Sequence, residues 1–152
     1  MKLAEALITR AGHNQRNHEL KKRILASCIT QEGIEPPENP QELMAEFEQL
    51  LRDRCDIIMK INRTNVATQF DKSMTLADSI AKRDTLTLQR GVWKDLVDEA
   101  VPRQDRRGRS EIRYVSTVDV PEVQKKIDRL ARELRELDTA IQGLNWTTDL
   151  IE

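Results

Sequence analysis

Apolar residues recur at helical spacing in four separate stretches of this chain. The pattern predicts helices over about residues 2–30, 41–65, 75–101 and 120–145, because residues three and four positions apart share one face of a helix. The clearest pattern is an unbroken heptad seam in the last stretch, made by Val123, Ile127, Leu130, Leu134, Leu137, Ile141 and Leu144. The predicted fold class is mainly α, with four long helices in an antiparallel bundle or coiled-coil arrangement and a single domain over 1–152.

Local signals mark where the second helix begins. Asn39 is a plausible N-cap, and Pro40 occupies the first helical position, where its missing N–H costs nothing. Gly33 is expected to cap the first helix. The third helix has an apolar face predicted from six residues: Leu76, Ile80, Leu88, Val92, Leu96 and Val97.

Polar residues interrupt the apolar faces of the first three helices. Arg54 occupies a core-type position in the second helix, and Asp84 replaces an apolar residue in the third. Asn14 and Asn17 fall at a similar level in the first helix. We expect a polar layer that fixes the register of the helices at some cost in stability. The alternative is a buried site for an anionic ligand that uses Arg54, and Asp84 is a further candidate ligand-binding residue at this level.

The second helix ends in a polar sequence, Ile61-Asn62-Arg63-Thr64-Asn65. Such side chains commonly satisfy the last carbonyl groups of a helix and shape the following turn. The functional alternative is a small-ligand or oxyanion site formed by Asn62, Arg63 and Asn65. The end of the fourth helix, residues 145–149, is expected at the same pole of the protein.

Residues 102–119 break the helical pattern and form a predicted extended arm between the third and fourth helices. Within it, residues 111–118 are rich in β-branched side chains and predict a small β-strand or hairpin. A lone strand leaves its amide and carbonyl groups unpaired, so the arm pairs with itself or with another subunit. We therefore expect a homo-oligomer formed through the arm and the helical faces. Arg106, Arg107 and Arg109 make the arm locally cationic, as a solvated segment or as a phosphate- or nucleic-acid-binding surface.

Composition limits the possible functions. The 25 basic and 26 acidic residues nearly balance, which argues against tight non-specific binding of nucleic acid. No stretch approaches the roughly 20 apolar residues of a membrane span, and the N-terminus lacks a signal-peptide pattern, so a cytoplasmic location is expected. His13 and His18 lie about 140° apart around a helix and cannot share a metal ion. With no nucleophile–base pair or phosphate-binding loop either, we expect no enzyme activity, metal or cofactor.

Three stretches resemble a family of small bacterial helical proteins often described as septicolysin. They are residues 61–65, residues 109–120 and the region from Leu137 to Leu150. Residues 1–7 and the turn at 31–33 also fit, so the resemblance spans nearly the whole chain. The family name implies a pore-forming cytolysin. From the residues themselves, the leading hypothesis is a non-enzymatic, oligomeric helical protein that acts as a structural or interaction module. The alternatives are a pore-forming cytolysin and a protein that binds a small anion or nucleic acid.

Overall fold

The computed structural model describes residues 1–100 and 114–152. These residues form four helices: α1 (Leu3–Ser27), α2 (Pro40–Ala67), α3 (Leu76–Ala100) and α4 (Val120–Thr147). All four helices lie within three residues of their predicted bounds, which confirms a mainly α fold. The chain divides into two compact units, one made of residues 1–77 and 142–152 and the other of residues 78–141. The prediction of a single domain stays a prediction.

In the first unit, α1 and α2 form an antiparallel helical hairpin. Arg16 pairs with Glu46 and Arg23 pairs with Glu38, so residue numbers rise on one helix as they fall on the other. The predicted cap of α2 is confirmed, since the Asn39 side chain accepts a hydrogen bond of 3.0 Å from the backbone N–H two residues later.

The first helix ends earlier than predicted. It stops at Ser27, with Cys28 as its C-cap residue. Gly33 therefore does not cap α1. It lies in the turn between the two helices and has a φ of 81°, a left-handed conformation that glycine adopts without steric cost.

A tight turn links α2 to α3 in the first unit. Gln69 and Thr75 form an isolated antiparallel bridge, in agreement with the hairpin-like connection that the sequence suggests here. The Asp71 carboxylate accepts hydrogen bonds from the backbone N–H groups of Ser73 and Met74, at 2.7 and 2.9 Å. This Asx-type arrangement holds the turn closed, and the Leu76 N–H then bonds to the Thr68 carbonyl at 2.8 Å.

In the second unit, α3 and α4 also run antiparallel. Lys82 forms an ion pair of 3.2 Å with Glu133, and further along, the Lys126 ammonium lies 5.9 Å from the centre of the Trp93 ring. The heptad seam of α4 is confirmed along both units. Five of its seven residues are buried, namely Val123, Ile127, Leu130, Leu137 and Ile141, and the other two are half-buried.

The predicted β-strand is not shown. Residues 101–113, which include most of the arm, lie outside the described residues. The described part, residues 114–119, has no strand pairing, and Tyr114 and Val115 are exposed. The β-branched composition that suggested a strand is therefore not matched by a ladder of hydrogen bonds in this part of the arm, since propensity alone does not supply a partner.

Candidate functional site

The polar end of α2 and the end of the chain after α4 meet in the first unit. The Ile151 N–H donates a hydrogen bond of 2.9 Å to the hydroxyl oxygen of Thr64, which in turn donates to the Lys60 carbonyl at 2.8 Å. Thr64 is completely buried. The prediction that these two segments share one pole is confirmed, and Thr64 holds them together there.

The two ends of the described chain are joined at the same pole, in an arrangement that we call the terminal clasp (residues 1–3 with residues 147–151). Leu3 donates from its N–H to the Thr148 carbonyl at 3.0 Å, and Leu150 donates to the Met1 carbonyl at 2.9 Å. The Lys2 ammonium lies 2.8 Å from the Asp149 carboxylate. Hydrogen bonding and charge attraction from Lys2 hold the pKa of Asp149 below its ordinary value.

The three residues predicted to bind a ligand at this pole differ in their exposure to solvent. Asn62 and Arg63 are exposed on the surface of α2, and Asn65 is half-buried. The buried polar residue of this segment is Thr64, which nothing in its neighbouring sequence distinguishes. Threonine next to asparagine is common at helix ends, and only the contact with Ile151 distinguishes it. Ligand binding by Asn62, Arg63 and Asn65 stays a prediction.

The predicted polar layer is represented by one observed pair. The Arg54 guanidinium donates from Nε to the Asn14 side-chain oxygen at 2.8 Å, which joins α2 to α1. Asp84 belongs to the second unit, is exposed, and accepts a hydrogen bond of 2.9 Å from its neighbour Arg83. The pairing of Arg54 with Asp84 stays a prediction. Arg106, Arg107 and Arg109 lie outside the described residues.

One heptad position of α1 combines apolar and polar residues. Ala6, His13, Leu20 and Ser27 follow one another at intervals of seven. Ala6 and Leu20 are fully buried against the rest of the unit. The Nδ1 atom of His13 and the hydroxyl of Ser27 are also buried, and neither makes a hydrogen bond to any residue in the described ranges. Because unpaired buried polar atoms cost free energy, this seam is not optimised for stability.

One side of the α1–α2 hairpin is covered by ion pairs, and we call it the ion-pair side. Arg16 donates from Nε to Glu46 at 3.2 Å, and Arg23 donates from Nε to Glu38 at 2.9 Å. The hydrogen bond from Arg23 lowers the pKa of the Glu38 carboxyl from its ordinary value, and burial opposes the shift more weakly. The charges on this side of the hairpin therefore satisfy one another.

The opposite side of the same hairpin carries several apolar residues among polar ones. Residues two positions apart lie about 200° apart around a helix. Leu25 follows Arg23 by two positions and Met44 precedes Glu46 by two, so both point away from the ion-pair side. Met44, Leu51 and Ile58 then continue along α2 at intervals of seven. We call the surface of Leu25, Met44, Leu51 and Ile58 the apolar face; its first three members are 62%, 45% and 39% exposed, and Ile58 is half-buried.

Neither a metal cluster nor a membrane-spanning helix is found where the structure describes the chain. Across residues 1–100 and 114–152, no three or more His, Cys, Asp or Glu side chains come together in a way that could hold a metal ion. In the same ranges, no helix is both long enough and apolar enough to cross a bilayer.

Comparison with known proteins gives a family and a close structural relative. Residues 10–150 match a family of unknown function, DUF6847. A crystal structure of a functionally unknown conserved protein from Corynebacterium diphtheriae shares 46% sequence identity, covers 99% of both chains and superposes with a TM-score of 0.94. No curated protein matches.

These comparisons overturn the family resemblance drawn from the sequence. The matched family is DUF6847, and neither it nor the structural relative has a link to septicolysin, so that assignment is wrong. The shared stretches are short polar helix ends and one β-branched segment, which are too common to identify a family. The pore-forming alternative rested on that resemblance alone and loses its basis.

Proposed function

The chain belongs to the DUF6847 family, whose function is unknown, and we propose that it is a non-enzymatic interaction module that works as a homo-oligomer. One observation carries the proposal: the α1–α2 hairpin has a polar side that is internally paired and an apolar face that is exposed. Several exposed apolar side chains on one surface are typical of protein–protein contact sites.

A second copy of this chain is the partner that fits the apolar face best. Two helical hairpins packed face to face make a four-helix bundle, and a two-fold axis makes the contact self-complementary. The 25 residues of α1 extend about 37 Å at 1.5 Å per residue, and two helices side by side measure about 20 Å across. One whole side of the hairpin therefore measures about 750 Å², which leaves room for a contact near the roughly 800 Å² that each partner contributes to a standard interface, and the apolar face occupies part of that side.

The remaining parts of the proposal come from the sequence. From the sequence we also propose a role in binding rather than in catalysis. A cytoplasmic location and pairing through residues 102–119 are also predictions from the sequence. The apolar face gives the helices themselves a route to oligomer formation that does not depend on this arm.

Light scattering on the full chain, over a concentration series in the micromolar range, tests the proposal. We expect the wild-type mass to be twice that of one chain, and the double variant Leu25→Glu, Leu51→Glu to have the mass of one chain. Ala45→Glu is the matched control, because Ala45 is an exposed apolar residue of α2 that lies outside the apolar face. This control should keep the wild-type mass.

The circular dichroism spectrum of each variant must show that the helices are retained. A wild-type chain that is monomeric throughout the concentration series would refute the proposal. A dimer that survives both glutamates with its helices intact would show that another surface forms the contact.

A further inference from the structure

A groove in the second unit gathers three arginine side chains. Arg83 and Arg90 approach it from α3 and Arg135 from α4, and Leu134 forms part of its apolar lining. The groove has a volume of about 430 Å³ and is shallow and broadly open to solvent. This volume lies within the usual range of small-molecule sites, roughly 300–1,000 Å³.

Two of these arginines occupy positions where a helical hairpin ordinarily places apolar residues. The side of α3 that faces α4 includes Leu86, Trp93 and Val97, each of them half-buried. Arg83 and Arg90 belong to the same face by their spacing. Arg83 precedes Leu86 by three positions, and Arg90 lies four positions after Leu86 and three before Trp93. Arg83 is half-buried and Arg90 is exposed, so the Arg90 side chain is accessible to a ligand at the groove.

The positive charge in the groove is only partly neutralised. Arg83 lies 2.9 Å from the Asp84 carboxylate and 3.7 Å from that of Asp138. Within residues 1–100 and 114–152, Arg90 and Arg135 form no ion pair. Two guanidinium groups that come from facing helices are thus available to a ligand at the groove.

The chemistry of the groove points to an oxyanion. Each guanidinium presents parallel N–H donors that match two oxygens of a phosphate group, and such bonds are stronger than those between neutral groups. Thr87 contributes no further donor, since its hydroxyl already donates to the Arg83 carbonyl at 2.8 Å. We propose that the Arg83–Arg90–Arg135 groove is a binding site for a small phosphate-bearing molecule, independently of the oligomer proposed above.

Isothermal titration of the full chain with pyrophosphate at low salt tests this site. We expect saturable binding to the wild type, weakened about tenfold or more in Arg90→Met and in Arg135→Met, because each lost charged hydrogen bond is worth about 1.5–3 kcal/mol. Arg129→Met is the matched control. Arg129 is also an exposed arginine of α4, but it lies outside the groove, and its loss should change the affinity less than about twofold.

A second measurement separates binding from folding. Methionine keeps the apolar stem of arginine, so Arg90→Met should leave the free chain as stable as the wild type or more stable. Pyrophosphate should then raise the thermal midpoint of the wild type and not that of Arg90→Met. No binding at low salt would overturn the proposal. Equal weakening in Arg129→Met would also overturn it, because it would show general charge attraction rather than a site.

Discussion

Replacing His13 by leucine is expected to stabilise the protein. His13 shares a heptad position of α1 with the fully buried Ala6 and Leu20, yet its Nδ1 atom is buried and makes no hydrogen bond to a described residue. A buried polar atom without a partner costs about 1–3 kcal/mol. The His13 side chain as a whole is only half-buried, so we expect a gain in the lower part of that range, about 1–2 kcal/mol.

Urea unfolding followed by helical circular dichroism measures this gain, and a thermal scan should show a midpoint raised by about 2–8 °C for a chain of this length. His18→Leu makes the same chemical change at an exposed position of the same helix and should alter stability by less than about 0.5 kcal/mol. Ser27→Ala removes the other unpaired buried atom and should also stabilise.

The reasoning fails if His13→Leu lowers the free energy of unfolding, or if His13→Leu and His18→Leu change it equally. Either result would mean that the Nδ1 atom of His13 is satisfied in solution, or that the histidine fixes the register of the hairpin, as polar residues do in some coiled coils. The mass of the variant, measured in the same buffer, must equal that of the wild type for the comparison to hold.

Three further changes test the hairpin and the pole. Leu20→Ala removes a fully buried side chain and should cost about 2–5 kcal/mol in urea unfolding. Thr64→Val should cost about 1–2 kcal/mol and speed hydrogen exchange at the Ile151 amide, which loses its acceptor. The lowered pKa of Glu38 means that the folded state binds fewer protons, so its contribution is complete above the ordinary pKa of 4.5 and is lost as pH falls below it. Glu38→Gln should reduce the dependence of the free energy of unfolding on pH in this acid range. A variant that removes its partner Arg23 should have the same effect.

Helix bounds could be predicted from the sequence because they are set by neighbouring residues. Asn39 and Pro40 mark the start of α2 through contacts within one turn, and the structure shows that cap. The seam of α4 is equally clear, because between Val123 and Leu144 no large apolar residue lies outside it. For α2 and α4, interactions between residues close in sequence are enough to predict where the helix begins or which face is buried.

The buried face of α3 could be predicted only in part. Of the six residues expected on its apolar face, Leu76 is buried and three others are half-buried, but Leu88 and Val92 are 70% and 53% exposed. Their spacing is as regular as that of the positions facing α4, which include Arg83 and Arg90. Periodicity identifies the candidate apolar faces of a helix. Which of two such faces becomes buried depends on the part of the chain that packs against the helix.

The candidate site was predictable only in part for the same reason. The sequence placed the ends of α2 and α4 at one pole, and it put Asn14 level with Arg54, which are observed to hydrogen-bond. It could not select Thr64, because a buried hydroxyl is recognised by its partner 87 residues away rather than by its neighbours. Nor could it show that the two sides of the α1–α2 hairpin differ, which requires the antiparallel pairing of the helices.

The terminal clasp has a consequence for the order of folding. The Arg23–Glu38 pair in the hairpin closes a loop of 15 residues, whereas the bond from Lys2 to the Thr147 carbonyl spans 145 residues. Closing the longer loop costs about 2 kcal/mol more in chain entropy. The α1–α2 hairpin can therefore form before α4 has been synthesised, and the clasp, whose two segments lie far apart in the sequence, closes later.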